Sequence, residues 1–153
     1  MGIVGPRARR RARRRRAGRE RGACRGTEIW DGAHTPEAVR YIAPRLPTVG
    51  AIVASILRDK DADGMLAQLG RLADALVATV SSNERALSAE ELAERARPYF
   101  EHVEAVADPT AALARGHELG EPVLVTGSLY LLADLRGTAV RRADVPWASE
   151  RRS

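Results

Sequence analysis

The sequence contains few aromatic residues, one cysteine and one lysine. Aromatic residues make up 4% of the 153 residues, so a folded core has to be built mainly from Leu, Val, Ile and Ala. Cys24 has no second cysteine to pair with, which excludes an intramolecular disulfide and is compatible with a reducing compartment. The three histidines lack the spacing of metal ligands, so we expect no metal site.

The sequence also lacks a long apolar run. No stretch approaches the roughly 18 apolar residues that a membrane-spanning helix needs. The Arg-rich N-terminus has no apolar core of the kind that a secretory signal contains. We therefore expect a cytoplasmic protein without membrane contact, and the length favours one domain over two.

Positive charge is concentrated at the N-terminus. Residues 1–26 carry eleven Arg and one Glu, a balance of +10, which leaves −5 for residues 27–153 because the whole chain carries +5. The first segment has few bulky apolar side chains, so we expect a mostly disordered tail. The basic run at 7–25 could bind nucleic acid through phosphate contacts. Arg-rich coding without a function is the interpretation that the composition favours.

From residue 27 onward, apolar runs typical of strands alternate with stretches of helical periodicity. The predicted strands are Glu28–Trp30, Val49–Ile56, Ala75–Val80, His102–Val106 and Val123–Thr126. The predicted helix caps are Thr35, Ser88 and Asp108. Five strand–helix units predict an α/β fold, a Rossmann-like, mostly parallel sheet of five or six strands with helices on both faces. We expect this domain to span 27–136, where the last helix ends, with 137–153 as a loose tail.

Three polar turns follow predicted strands. They are Asp31-Gly32-Ala33-His34-Thr35-Pro36, Arg58-Asp59-Lys60-Asp61 and Thr126-Gly127-Ser128-Leu129-Tyr130-Leu131. In open α/β sheets, ligands bind at the carboxyl ends of the strands, and the helix N-terminus behind such a turn attracts anions. We therefore expect the three turns to lie along one edge of the sheet and to form a site.

These motifs resemble the C-terminal domain of folylpolyglutamate synthase/dihydrofolate synthase, a member of the Mur ligase superfamily. The first turn is similar to that family's Asp-Gly-Ala-His-Asn-Pro signature, the second to its Asp-Lys-Asp turn and the third to its Thr-Gly-Ser-Leu/Phe-Tyr motif. The similarity covers about Glu28 to Arg136, with the same order and spacing. Thr35 stands where the family has Asn, which preserves a helix cap and alters the hydrogen bonding.

The resemblance implies an ATP-dependent, ADP-forming ligase. In that family ATP phosphorylates a folate carboxylate, and the amine of L-glutamate attacks the acyl phosphate to form an amide. Dihydrofolate synthases apply the same chemistry to dihydropteroate. The implied cofactor is ATP with Mg²⁺. No Gly-x-x-x-x-Gly-Lys-[Ser/Thr] motif occurs in the 153 residues, so we expect the phosphate cradle and the Mg²⁺ ligands on a separate P-loop ATPase domain.

The resemblance also assigns roles to five residues. Asp31 would contact the nucleotide, through its ribose, and His34 would lie near the reacting phosphate as the catalytic residue. Arg19, upstream of the first signature, would face a phosphate. Lys60 and Ser128 would approach the carboxylates of L-glutamate. Lysine is a compact charge for a carboxylate, and a serine at a helix N-terminus adds a donor beside free backbone N–H groups.

Four of these assignments have a structural alternative. Asp31 could cap a turn, His34 could be a structural histidine, Lys60 could be a solvated charge, and Ser128 could be only a helix cap. His102 and His117 have no partner motif and are expected at the surface. At the level of the whole chain, the alternative to a ligase domain is a non-catalytic α/β module with an Arg-rich nucleic-acid-binding arm.

The chain by itself should have no ligase activity, because its sequence supplies no phosphate cradle. Purified chain incubated with ATP, L-glutamate and a folate should release no ADP above background and form no glutamylated folate, as measured by mass spectrometry. Product that appears only when a P-loop ATPase domain is added would support the ligase interpretation. Product from the chain alone would contradict the prediction.

Overall fold

The computed structural model describes residues 27–142, and it describes side-chain surroundings as far as residue 137. The Arg-rich segment 1–26, which includes Arg19, and residues 143–153 lie outside the described residues. Among the described residues, no helix has both the length and the apolar character to cross a membrane.

Five parallel strands form one sheet in the order β1-β5-β2-β3-β4. The strands are β1 Glu28–Trp30, β2 Ala51–Ala54, β3 Ala75–Ala78, β4 His102–Ala105 and β5 Val123–Thr126. Every residue of β2, β3 and β5 is buried, as expected for parallel strands that are covered on both faces. The predicted parallel α/β sheet is confirmed with five strands, of which β2, β3 and β4 are shorter than predicted.

Within residues 27–142, five α-helices follow the strands. They are α1 Pro36–Ile42, continued by a 3₁₀ turn at Ala43–Arg45, α2 Ala62–Leu69, α3 Ala89–Ala96, α4 Pro109–Leu119 and α5 Leu129–Arg142. The first four begin at side-chain caps, in which Thr35, Asp61, Ser88 and Asp108 accept from the backbone N–H three residues later. The three predicted caps are confirmed. Helix α5 runs past the predicted end at about Arg136.

The helices cover both faces of the sheet because the chain reverses direction between β4 and β5. Three crossovers in one direction leave α1, α2 and α3 on one face, and the return to β5 puts α4 on the other, as a constant crossover hand requires. Neighbouring strand residues therefore enter different cores. Ile52 packs with Leu66 and Leu92 in one core, whereas Val53 packs with Ala112 and Leu131 in the other.

His117 is partly buried, whereas the sequence analysis expected it at the surface. Its ring lies 2.8 Å from Glu121 through Nδ1 and 2.8 Å from Glu28 through Nε2, and its side chain is 20% exposed. Glu28 reaches α4 because β1 pairs with β5, a long-range contact that no local pattern encodes. His102, by contrast, lies at the surface as expected, with its side chain 49% exposed.

A charged cluster joins edge strand β4 to α4. Glu104 accepts from His102 Nε2 at 2.7 Å and from Arg115 Nε at 2.9 Å, and Arg115 also donates to Glu118 at 2.8 Å. The hydrogen bond from His102 does most to lower the pKa of Glu104. Burial opposes this effect, and the hydrogen bonds and charge of Arg115 lower the pKa further.

Replacing Gly127 with Ala should strongly destabilise the fold. Gly127 follows β5 with a φ of +101°, and an added Cβ would lie 2.4 Å from the carbonyl oxygen of Ser55. The backbone strain alone should lower the free energy of unfolding by about 1–3 kcal/mol, measured by urea denaturation. Gly32→Ala is the matched control, because its Cβ would first meet the exposed side chain of Leu129, which can move. Equal losses in the two variants would contradict the prediction.

Glu104→Gln should reduce the loss in the free energy of unfolding that occurs as the pH falls. Because the folded-state pKa of Glu104 lies below its ordinary value of 4.5, the ionised carboxylate stabilises the fold above that pH. This stability is lost as the pH falls through the lowered pKa. The variant should therefore be less stable than the parent at pH 7 and lose less stability on acidification, measured by urea denaturation at a series of pH values. Glu94→Gln, at an exposed pair with Arg97, is the control. A parallel pH profile for parent and E104Q would refute the assignment.

Candidate functional site

Buried polar side chains are concentrated at the carboxyl edge of the sheet. Within the described part of the chain they are Ser55, Thr79, Ser81, Thr126 and Ser128, each no more than 5% exposed. All five lie at the end of β2, β3 or β5 or within three residues after it. Burying a hydroxyl group is unfavourable unless the group forms a hydrogen bond. The concentration of these groups at one edge therefore distinguishes this edge from the rest of the core.

Three of these hydroxyl groups have protein partners. The Ser55 Oγ accepts from the Ser81 N–H at 3.1 Å, the Thr79 hydroxyl donates to the Ala107 carbonyl at 3.0 Å, and the Ser128 Oγ accepts from the Tyr130 N–H at 3.1 Å. The hydroxyl groups of Ser81 and Thr126 have no hydrogen-bond partner among the described residues. Buried polar atoms of this kind are uncommon and indicate places where a ligand or water completes the bonding.

Strands β1, β5 and β2 form a topological switch point at this edge. The chain leaves β1 and β2 towards one face of the sheet and leaves β5, which lies between them, towards the other. A crevice outside the carboxyl ends of strands is expected where neighbouring connections diverge in this way. The three predicted motif turns follow these three strands, so Asp31, His34, Lys60 and Ser128 all lie along the same edge.

Backbone hydrogen bonds join the turn after β1 to the turn after β5. The Asp31 N–H donates to the Val125 carbonyl at 3.0 Å, and the Gly127 N–H donates to the Ala33 carbonyl at 3.1 Å. The start of α2, directly after the turn that follows β2, lies close to the start of α1, where the first turn ends. A Cβ added to Gly64 in α2 would lie 2.8 Å from Pro36 at the start of α1. The three turns therefore form one continuous surface.

Asp31 and His34 each form a hydrogen bond within their turn, and each has a further polar atom that a ligand could contact. The Asp31 Oδ1 accepts from the Ala33 N–H at 2.9 Å, so the carboxylate does cap a turn, as the structural alternative proposed. His34 is exposed, and its Nδ1 lies 3.0 Å from the Gly32 carbonyl. In the tautomer that donates this bond, Nε2 is an acceptor available to a ligand.

Lys60 differs from the other charged residues of its turn. Arg58 pairs with Glu91 at 3.0 Å, and Asp59 pairs with Arg85 at 3.0 Å. The half-buried Lys60 forms no ion pair with any of the described residues, although its backbone is fixed by hydrogen bonds to Leu57 and Ala62. Its ammonium group is thus a positioned positive charge without a carboxylate partner in this part of the chain.

Sequence reasoning predicted the motif turns and missed the hydroxyl groups behind them. Two of these residues, Ser55 and Ser81, belong to none of the three motif turns. Thr126 is the first residue of the third motif turn. A signal was present, because Ser55 interrupts an apolar run at the point where the strand ends. Arg19 lies outside the described residues. No group of three or more His, Cys, Asp or Glu able to hold a metal ion occurs within the described residues.

Comparisons with known proteins agree with the fold and the motifs. A family profile described as Mur ligase, glutamate ligase domain, matches residues 15–129. A dihydrofolate synthase/folylpolyglutamate synthase of Haemophilus influenzae is 28% identical over 120 residues, covering 71% of this chain and 28% of that protein. The chain therefore spans less than a third of the length of this relative.

Solved structures of folylpolyglutamate synthases share the fold. The Mycobacterium tuberculosis enzyme complexed with ADP and AMPPCP superposes with a TM-score of 0.67 at 27% identity, over 74% of this chain and 29% of that chain. E. coli FolC in complex with DHPP and ADP gives a TM-score of 0.65 at 27% identity, over 76% and 29%. The Yersinia pestis enzyme complexed with AMPPNP and Mn gives 0.65 at 26% identity, over 77% and 30%.

These matches give no support to the alternative of a non-catalytic module with a nucleic-acid-binding arm. The matches agree with the observed fold, a five-stranded parallel sheet with the three motif turns at its carboxyl edge. The chain belongs to the Mur ligase family, as a glutamate ligase domain homologous to the C-terminal domains of folylpolyglutamate and dihydrofolate synthases.

Proposed function

We propose that this chain is the nucleotide- and glutamate-contacting C-terminal domain of an ATP-dependent folylpolyglutamate or dihydrofolate synthase. The observation that carries the proposal is the continuous edge formed by the turns after β1, β5 and β2. Two of these turns meet through the Gly127–Ala33 hydrogen bond, and the helix that follows the third turn begins close to the start of α1. The proposed domain spans 27–136, with 1–26 and 137–153 as flanking segments, and we propose a cytoplasmic location.

The turn after β1 is the proposed nucleotide contact. Asp31 uses Oδ1 for its own turn, and its second carboxylate oxygen would accept hydrogen bonds from the ribose hydroxyls. His34 would reach the phosphate end of ATP and act there as the catalytic residue, and Arg19 would add a positive charge facing a phosphate. Relatives complexed with ADP, AMPPCP and AMPPNP support a nucleotide as the ligand of this edge.

The turns after β2 and β5 are the proposed glutamate contact. The ammonium group of Lys60, which has no carboxylate partner among the described residues, would attract a carboxylate of L-glutamate. The Ser128 Oγ accepts from the Tyr130 N–H, so its own proton is available for donation to a carboxylate. The N-terminus of α5 adds partial positive charge at the same place. Held in this way, the amino acid would present its amine to the activated carboxyl group of a folate or dihydropteroate.

A P-loop ATPase domain is the proposed partner. Mg²⁺ would be held mainly by that domain, since the described residues of this chain contain no cluster of metal ligands. Leu129 and Tyr130 support a docking surface beside the site, because they are 62% and 44% exposed at the start of α5. Large exposed apolar side chains next to a polar crevice are typical of interfaces.

Variants at the two proposed contacts should separate nucleotide binding from glutamate binding. Lys60→Ala should weaken L-glutamate binding roughly tenfold or more, the effect of losing a charge-assisted hydrogen bond, and leave ADP binding unchanged. Asp31→Asn should weaken ADP binding and leave L-glutamate binding unchanged. Both affinities can be measured by calorimetry on the full chain in the presence of the P-loop ATPase domain.

Arg58→Ala is the matched control for Lys60→Ala. It removes a positive charge from the same turn, but the charge that it removes is already paired with Glu91. The control should bind L-glutamate like the parent chain. If R58A and K60A weaken binding equally, general electrostatic attraction explains the effect and the assignment of Lys60 fails.

A further inference from the structure

Lys60 is the last residue of a tight turn, and its position depends on what holds that turn. The Lys60 N–H donates to the Leu57 carbonyl at 3.1 Å, which closes a four-residue β-turn with Arg58 and Asp59 at the central positions. Directly after the turn, Asp61 caps α2. The backbone of Lys60 is therefore fixed on one side by the helix and on the other by the turn itself.

Backbone hydrogen bonds join this turn to the loop after β3. The Arg58 N–H donates to the Arg85 carbonyl at 2.7 Å. The Leu87 N–H donates to the Ile56 carbonyl at 3.0 Å, and the two segments run antiparallel at this point. These bonds place Arg85 directly beside the turn that contains Lys60.

The side chain of Arg85 makes a second contact with the same turn. Its Nη1 donates to the Asp59 Oδ2 at 3.0 Å, so the ion pair is formed with the residue directly before Lys60. The two side chains are 55% and 48% exposed, and an ion pair of this kind contributes little to the stability of a whole fold. Its effect is local, because Arg85 contacts the turn both through its carbonyl oxygen and through its guanidinium group.

The loop that carries Arg85 is itself held in place. Ser82, near its start, donates through its N–H and its hydroxyl to the Asp134 carboxylate of α5 at 2.7 Å each. The Asn83 Oδ1 accepts from the Arg85 N–H at 2.8 Å, which orders the backbone just before the ion pair. A loop fixed in this way can restrain the turn beside it.

We propose that Arg85 is a positioning residue for the glutamate contact. Through Asp59 it holds the turn after β2, and so keeps the backbone of Lys60 in the place from which its ammonium group binds a carboxylate. Ordering a flexible binding group before the ligand arrives strengthens binding, because less conformational entropy is lost on association. The proposal rests on the proposed function, in which Lys60 binds L-glutamate.

The first test measures the turn itself and needs no ligand. Because Lys60 is the only lysine among the 153 residues, ¹⁵N-lysine labelling of the full chain gives a single backbone N–H signal. Its protection against hydrogen exchange measures how often the turn opens. Arg85→Ala should lower this protection about two- to fivefold, the effect of losing an exposed ion pair. Arg97→Ala removes another exposed pair, with Glu94, and should leave the protection unchanged. Equal protection in the parent and R85A, or an equal loss in R97A, would overturn the proposal.

The second test measures L-glutamate affinity, by calorimetry on the full chain in the presence of the P-loop ATPase domain. Arg85→Ala and Asp59→Asn should each weaken binding about two- to fivefold. The double variant should bind no more weakly than either single variant, because all three lack the same ion pair. Arg85→Lys should restore binding, since the pair consists of one hydrogen bond that an ammonium group can also donate.

The Asp59→Asn variant separates positioning from simple attraction. It removes a negative charge beside the site, so charge alone would strengthen the binding of an anion. Tighter binding in D59N, or additive losses in the double variant, would show that Arg85 acts on L-glutamate through its charge and would overturn its positioning role. A loss in K60A with unchanged binding in R85A would overturn the positioning role alone. Unchanged binding in K60A would instead refute the proposed function, and the role of Arg85 in binding with it.

Discussion

The return of the chain from β4 to β5 is the constraint on which the candidate site depends. Because β5 enters the sheet between β1 and β2, it pairs on both sides, with Leu124 opposite Ile29 and Ile52. The turn after β5 leaves towards the face opposite α1 and α2. Without this reversal the three motif turns would follow strands that all turn to the same face, and no crevice would separate them. Gly127 makes the arrangement possible, because its positive φ allows the chain to pass the Ser55 carbonyl.

The buried polar groups at the carboxyl edge of the sheet differ in kind from the polar groups that join elements elsewhere in the described fold. Away from the carboxyl edge, paired charges join elements to one another, as Arg115 joins α4 to β4 and His117 joins α4 to β1. At the carboxyl edge the buried groups are neutral hydroxyls, and Lys60 is a positive charge without a carboxylate partner among the described residues. Neutral donors can be buried at modest cost, whereas an unpaired charge has to stay partly solvated, which agrees with the half-buried position of Lys60.

Local signals made much of this fold predictable. Thr35, Ser88 and Asp108 cap helices because a short polar side chain before an apolar-periodic stretch can bond the first free N–H groups, and this information is contained in a few adjacent residues. The order of the strands and the contacts of His117 depend on pairing between distant segments, which no local pattern specifies. The pairing of Arg85 with Asp59 could not be predicted for the same reason, since the two residues are 26 positions apart in the sequence. The roles of Asp31, His34, Lys60 and Ser128 remain predictions that rest on resemblance.

Helix α5 joins the candidate site to the loop after β3. It begins beside Ser128, at the edge between β1 and β2. Asp134 lies about 9 Å further along the helix axis, at 1.5 Å per residue. Its carboxylate accepts hydrogen bonds from the N–H and the hydroxyl of Ser82. A helix transmits axial displacement because its backbone hydrogen bonds resist compression. A displacement of α5 at the candidate site would therefore also displace Asp134 and the loop after β3 that it holds.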